Sequence, residues 1–223
     1  MTRVRLLGLV APLAALVALA GCGGASPAAA TVAGHDITRH DLNLDLDAIS
    51  NNKALRADPS IQIASTPKGT LNAGVTASWL GGLVRQVVID QEFARRHLKI
   101  TAADRAAART NLEQQQFGPA IFAAFSKSFV NRVVEREARI EALAKSLAVG
   151  AQSQTELGQR FSQLLDKGLR AGHLHVDARY GKPQFTAQGF QITPPKAPTV
   201  KEKPGTTTTT APPAASPGAS PGG

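Results

Sequence analysis

A single cysteine, Cys22, stands in a chain of 223 residues, directly after an N-terminal apolar run. One thiol cannot form an intramolecular disulfide, so whatever part of the chain folds must be held by its own apolar core. Arg3 and Arg5 make a basic start, Leu6 to Leu19 carries no charge, and the small residues Ala20 and Gly21 precede Cys22. This is the layout of a secretory signal peptide, residues 1–21, with cleavage in front of Cys22. The apolar run is shorter than the roughly 20 residues that a membrane-spanning helix needs, and the glycines from Gly21 to Gly24 interrupt it. A plain signal peptide, or one spanning helix with an incidental cysteine, are the lesser alternatives.

The segment Leu19-Ala20-Gly21-Cys22 resembles the bacterial lipobox. That resemblance implies a diacylglyceryl group on Cys22, in many bacteria with a further amide-linked acyl chain, and a place on the extracytoplasmic face of the cell membrane. Each buried methylene contributes about 0.8 kcal/mol, so two or three chains anchor stably where one alone holds marginally.

Neither end of the chain has the composition of a folded segment. Residues 22–30, ending in Ala25 to Ala30, read as a flexible spacer. Residues 194–223 are mostly Pro, Thr, Ala, Ser and Gly, with a few charged residues and no apolar side chain larger than Val200, which buries too little to offset ordering entropy. This tail is expected to be disordered, and its Ser/Thr/Pro content permits O-glycosylation. Residues 31–193 have the length of one domain, enough to bury about 70% of the unfolded surface. The formal net charge of the whole chain is +9; removing Arg3 and Arg5 with the leader, and Lys196, Lys201, Lys203 and Glu202 with the tail, leaves about +5. A modest excess of this kind suits a protein held near anionic headgroups. Export and the lack of an aromatic-basic motif argue against nucleic acid as a partner.

Helical spacing dominates the domain. Thr31 to Ile37 predicts a short strand and tight turn, then Thr38 and Asp41 form a capping box before Leu42, Leu46 and Ile49. Asn51 to Gly74, with Pro59, Pro67 and Gly69, is expected to be an irregular excursion. From Thr76 or Ser78 to about Leu98 the stripe Leu80, Leu83, Val84, Val87 and Phe93 predicts a long helix. Thr101 with Asp104 caps a more solvent-facing one through Gln116. Gly118-Pro119 opens a short helix, and Lys127 to Ala148 a long one with Phe129, Val130, Val133, Ile140, Leu143 and Leu147 on one face. On its wet face Glu135 is spaced to pair with Arg139, and Glu141 with Lys145. Ser153 and Glu156 cap a last helix that stops at Gly172, and Leu174–Asp177 and Phe185–Ile192 read as short strands. The expected fold is therefore mainly α, about five to six helices, with a small sheet made by the N- and C-terminal segments.

Three segments, "TVAGHDITRHDL", "WLGGLVRQVVIDQEFARRHLKITAAD" and "HVDARYGKPQF", occur in an order that resembles the SurA N-terminal-like domain of bacterial extracytoplasmic chaperones and foldases. The likeness covers about Thr31 to Gln191. It implies a helical cradle with paired ends that binds unfolded or partly folded exported polypeptide through apolar surface. Many relatives carry an inserted parvulin-type prolyl isomerase domain, but only Val149 to Gly172 is left for one here, and such a domain needs on the order of a hundred residues.

Four of the eight phenylalanines fall between 117 and 129. Phe117, Phe122, Phe125 and Phe129, together with Trp79, are the candidate client-binding residues, against the plainer reading of each as core. Asp41 and Asp45 have a spacing that can pair carboxylates, although a solvated helix face accounts for them better. His35-Asp36 and His40-Asp41 lie in and beside the turn, where polar residues belong. His173 and His175 can share one side of a strand, but no carboxylate or cysteine pattern accompanies them as metal ligands. No nucleophile elbow, P-loop, dinucleotide fingerprint or H-E-x-x-H motif occurs, so no catalytic residue, metal or cofactor is assigned. The expected function is a non-catalytic chaperone anchored through Cys22. A foldase with prolyl isomerase activity and an adaptor lipoprotein with one dedicated partner stand as alternatives.

Overall fold

The computed structural model describes residues 27–58, 71–186 and 189–196. The leader, Cys22, the tail from 197 onward, and Pro59, Pro67 and Gly69 of the expected excursion lie outside the described residues. The described residues are mainly helical, 65%, with small antiparallel sheets. Strand β1 (Ala28–Val32) turns at Ala33-Gly34 and returns as β2 (His35–Thr38). Ala33 and Gly34 take φ of 49° and 79°, the two-residue turn whose twist matches an antiparallel hairpin. Strand β3 (His175–Val176) pairs with the other edge of β1, Ala30 opposite Val176, so the two ends of the domain meet in one sheet of order β2-β1-β3.

This sheet corrects the spacer boundary. Ala28, Ala29 and Ala30 belong to β1, and Ala29 and Ala30 are buried. Alanine has little strand preference, which is why the run reads as linker, but its small side chain lets the helical layer lie directly on the strand. The expected strand Phe185–Ile192 is instead a hairpin, β4 (Lys182–Thr186) and β5 (Gly189–Thr193), with Phe185 opposite Phe190.

Seven α-helices occur among the described residues: α1 (Arg39–Asn51), α2 (Lys53–Ala57), α3 (Ala73–Arg95), α4 (Ala102–Asn111), α5 (Pro119–Ala123), α6 (Lys127–Ala148) and α7 (Gln154–Ala171). Helix α2 corrects the irregular reading of Asn51 onward. Asn52 accepts the Leu55 N–H at 2.9 Å and donates to the Ile121 carbonyl at 2.9 Å, so one buried amide starts α2 and ties it to α5. Asn72 caps α3 through the Gly74 N–H, which starts that helix earlier than its apolar stripe suggests. The Thr101/Asp104 capping box of α4 forms as expected, and so does the Ser153 cap of α7; Ser126, which the helical spacing does not single out, caps α6 through the Phe129 N–H. Helix α7 occupies the interval between α6 and β3.

Apolar packing falls into three clusters. The sheet, α1, α3, α7 and β5 enclose Val32, Leu42, Leu80, Val84, Leu169 and Ile192. Ile49, Leu55, Leu112, Phe122, Phe129 and Val130 form a second cluster, around α5 and the first half of α6. Ile89, Leu143 and Leu147 join α3 to the far end of α6. Each fully buried leucine or phenylalanine contributes about 1.5–3 kcal/mol. Trp79 on α3 packs against both the first and the second cluster.

Candidate functional site

The inward face of α1 carries Leu42, Asp45 and Ile49, all buried. Asp45 is fully buried, which corrects its reading as part of a solvated face. Its Oδ1 accepts from Arg132 Nη2 at 2.8 Å and Nε at 3.0 Å, and its Oδ2 from Arg136 Nη1 at 2.6 Å and Trp79 Nε1 at 3.2 Å. A carboxylate removed from water needs such donors to offset its desolvation. The four hydrogen bonds join α1, α3 and α6 and set the direction of the Trp79 indole. Asp41 is not its partner: that carboxylate accepts the Thr38 hydroxyl at 2.7 Å at the start of α1.

From Trp79 an aromatic chain runs through the second cluster. Trp79 stacks on Phe129 with centroids 5.9 Å apart, Phe129 meets Phe125 at 4.4 Å, and Phe117 meets Phe125 edge-on at 5.1 Å. Phe122, Phe125 and Phe129 are buried, 2%, 8% and 0% exposed. Three of the five expected client-binding side chains are therefore core: an apolar ring with a place to pack loses its water, and these three sit where α5 and α6 converge. Trp79 and Phe117 are only partly buried, and both open onto one cleft.

That cleft, about 280 Å³, lies between α3, the end of α4 and α6. Its apolar lining is Trp79, Leu83, Leu112, Phe117, Val133 and Ile140. After α4 the helix widens into a π turn over Leu112–Gln116, closed by the Phe117 N–H to the Leu112 carbonyl at 3.0 Å. This turn sets Leu112, Gln116 and Phe117 on one wall. π turns recur at functional positions, yet nothing in the Leu-Glu-Gln-Gln-Gln sequence marks one, and the helix through Gln116 was expected to be regular.

The rim is polar. Arg85 donates to the Phe190 carbonyl at 3.3 Å, Gln86 to Asp90 at 2.8 Å, and Glu137 accepts from Asn111 at 2.8 Å. Apolar faces, amides and guanidiniums are the chemistry of binding. A larger groove between α3 and α7, about 760 Å³, has charged walls in which Glu92 is the one acid. There Glu92 accepts from Arg95 and Arg96; the Arg95 hydrogen bond first, then that of Arg96, hold its carboxyl down to about 2 against the upward push of burial.

Two other sequence expectations resolve differently. Lys145 reaches Asp104 of α4 at 2.6 Å instead of serving Glu141, whose carboxyl burial and then Glu137 push upward. His173 sits in a turn at φ 45°, and His175 is exposed on β3. Among the described residues no group of three or more His, Cys, Asp or Glu side chains is placed to hold a metal ion.

Scans of family models, curated proteins and solved structures each return no match for this chain.

Proposed function

We propose that this chain is a membrane-anchored extracytoplasmic lipoprotein that binds unfolded or partly folded exported polypeptides, as a non-catalytic chaperone. The observation that carries the proposal is the open cleft in which Trp79 and Phe117 stay partly uncovered although a well-filled aromatic core lies directly behind them. Apolar surface left open at a cleft, framed by polar groups, suits an apolar segment of another chain. An aromatic wall with few fixed hydrogen bonds tolerates many sequences, as a holdase requires. The Leu19-Ala20-Gly21-Cys22 segment supports the anchor, and among the described residues no helix is long and apolar enough to cross a membrane.

Light scattering from a thermally aggregating client tests the binding. The full chain is expected to suppress aggregation at near-stoichiometric ratios, and no suppression at several-fold excess overturns the reading. A Cys22→Ala variant is expected to leave the membrane fraction; if it stays membrane-bound, the anchor is wrong.

A further inference from the structure

We propose that the cleft selects polypeptide segments in which an apolar side chain stands next to an aspartate or glutamate. The inference rests on the chaperone reading and names the segments such a protein would hold.

Charge at the rim carries it. Arg85 and Arg136 both line the cleft. Arg136 spends Nη1 on Asp45, which already takes two donors from Arg132, so one buried carboxylate faces two guanidiniums. Arg85 spends Nη1 on a neutral carbonyl at a long 3.3 Å. Each guanidinium has five N–H donors, and no further acceptor for either is found among the described residues. The one acid in the lining, Glu137, accepts from Asn111. The cleft thus pairs an apolar floor with guanidinium donors in excess of acceptors, and charge-assisted hydrogen bonds to a carboxylate are about twice as strong as neutral ones.

Gln86 argues that the carboxylate arrives on a peptide. It lines the cleft, is only 8% exposed, and gives its amide N–H to Asp90. Its carbonyl oxygen is not sealed from water and offers an acceptor at the cleft, one that a peptide N–H can use and a fatty acid, having no such donor, cannot. A volume of about 280 Å³ holds a side chain or two, whereas a helix about 10–12 Å across does not fit.

Trp79 is the only tryptophan in the chain, so its emission reports the cleft directly. The full chain is titrated with three otherwise identical short peptides carrying one leucine flanked by Asp and Glu, by Asn and Gln, or by lysines. The acidic peptide is expected to shift Trp79 emission and bind about tenfold tighter than the amide peptide, an advantage that shrinks with salt. Arg85→Gln is expected to cut that advantage to about threefold or less, while Arg85→Lys, keeping the charge, and Arg105→Gln, outside the cleft, retain more of it. Equal affinity for acidic and amide peptides, or tighter binding of the lysine peptide, overturns the inference. So does saturation of the cleft by laurate with no response to any peptide. If aggregation is still suppressed while acid preference is absent, this inference alone fails; if suppression is absent too, the chaperone reading falls with it.

Discussion

Removing the Asp45 carboxylate leaves two guanidiniums and the Trp79 indole N–H without their shared acceptor inside the protein. Breaking a buried pair on one side is strongly destabilising, so Asp45→Ala is expected to lower stability by about 3 kcal/mol in urea denaturation, with Asp45→Asn less severe. A change under about 0.5 kcal/mol would mean that the network is incidental. Local sequence shows only half of this arrangement. The spacing of Leu42, Leu46 and Ile49 gives the buried face of α1, and Asp45 falls within it, but an aspartate there reads as solvated because charged residues are so seldom fully buried. Its partners stand 87 and 91 residues away, beyond any local pattern. The phenylalanines were legible as a group for a related reason: their density between 117 and 129 marks an apolar locus, while the division into core and cleft depends on how α3, α5 and α6 pack around them.

Helix boundaries set by contacts three or four residues apart were readable, as the Thr101/Asp104 box and the Ser153 cap show. Helix α2 and the π turn were not, since one depends on an asparagine reaching across to Ile121 and the other on a widened hydrogen-bond pattern. Packing between helices is as specific. A Cβ on Gly168 of α7 would collide with the Val88 side chain of α3, so Gly168→Ala is expected to cost about 1–3 kcal/mol by forcing the helices apart, read as a lowered Tm. An unchanged or raised Tm would show that Val88 moves aside freely. Ion pairs act at other places: Lys145 first, then Thr101, depress the Asp104 carboxyl between α4 and α6, and in the last turn of α3 the neighbouring Arg95 and Arg96 hold Glu92 at about 2. Both lie below their unfolded values, so their contribution is complete above the ordinary carboxylate range and is lost as pH falls through the folded values. Urea midpoints are expected to hold steady down to about pH 4.5 and then drop toward about pH 2. Glu92→Gln with Asp104→Asn is expected to flatten that slope, and an equally steep slope in the double variant would refute the assignment.

At the scale of the molecule, the meeting of β1 with β3 puts the first described strand in the core. Five residues, 23–27, then separate Cys22 from Ala28. A fully extended chain gains at most about 3.6 Å per residue, so on the proposed anchor the domain stays close to the membrane. The mainly helical class and the joining of the two ends followed from apolar periodicity and segment order. The place where the surface stays open did not, because it is a property of three helices together. The central claim is that this opening holds unfolded chain, and the direct measurement is a photocrosslinker at Gln116, exposed at the mouth of the cleft, with a second at exposed Ser162 on α7 as comparison. The account expects adducts from position 116 with several unrelated unfolded clients, weak adducts with their folded forms, and little from position 162. Equal labelling from the two positions, or equal labelling of folded and unfolded clients, would contradict it.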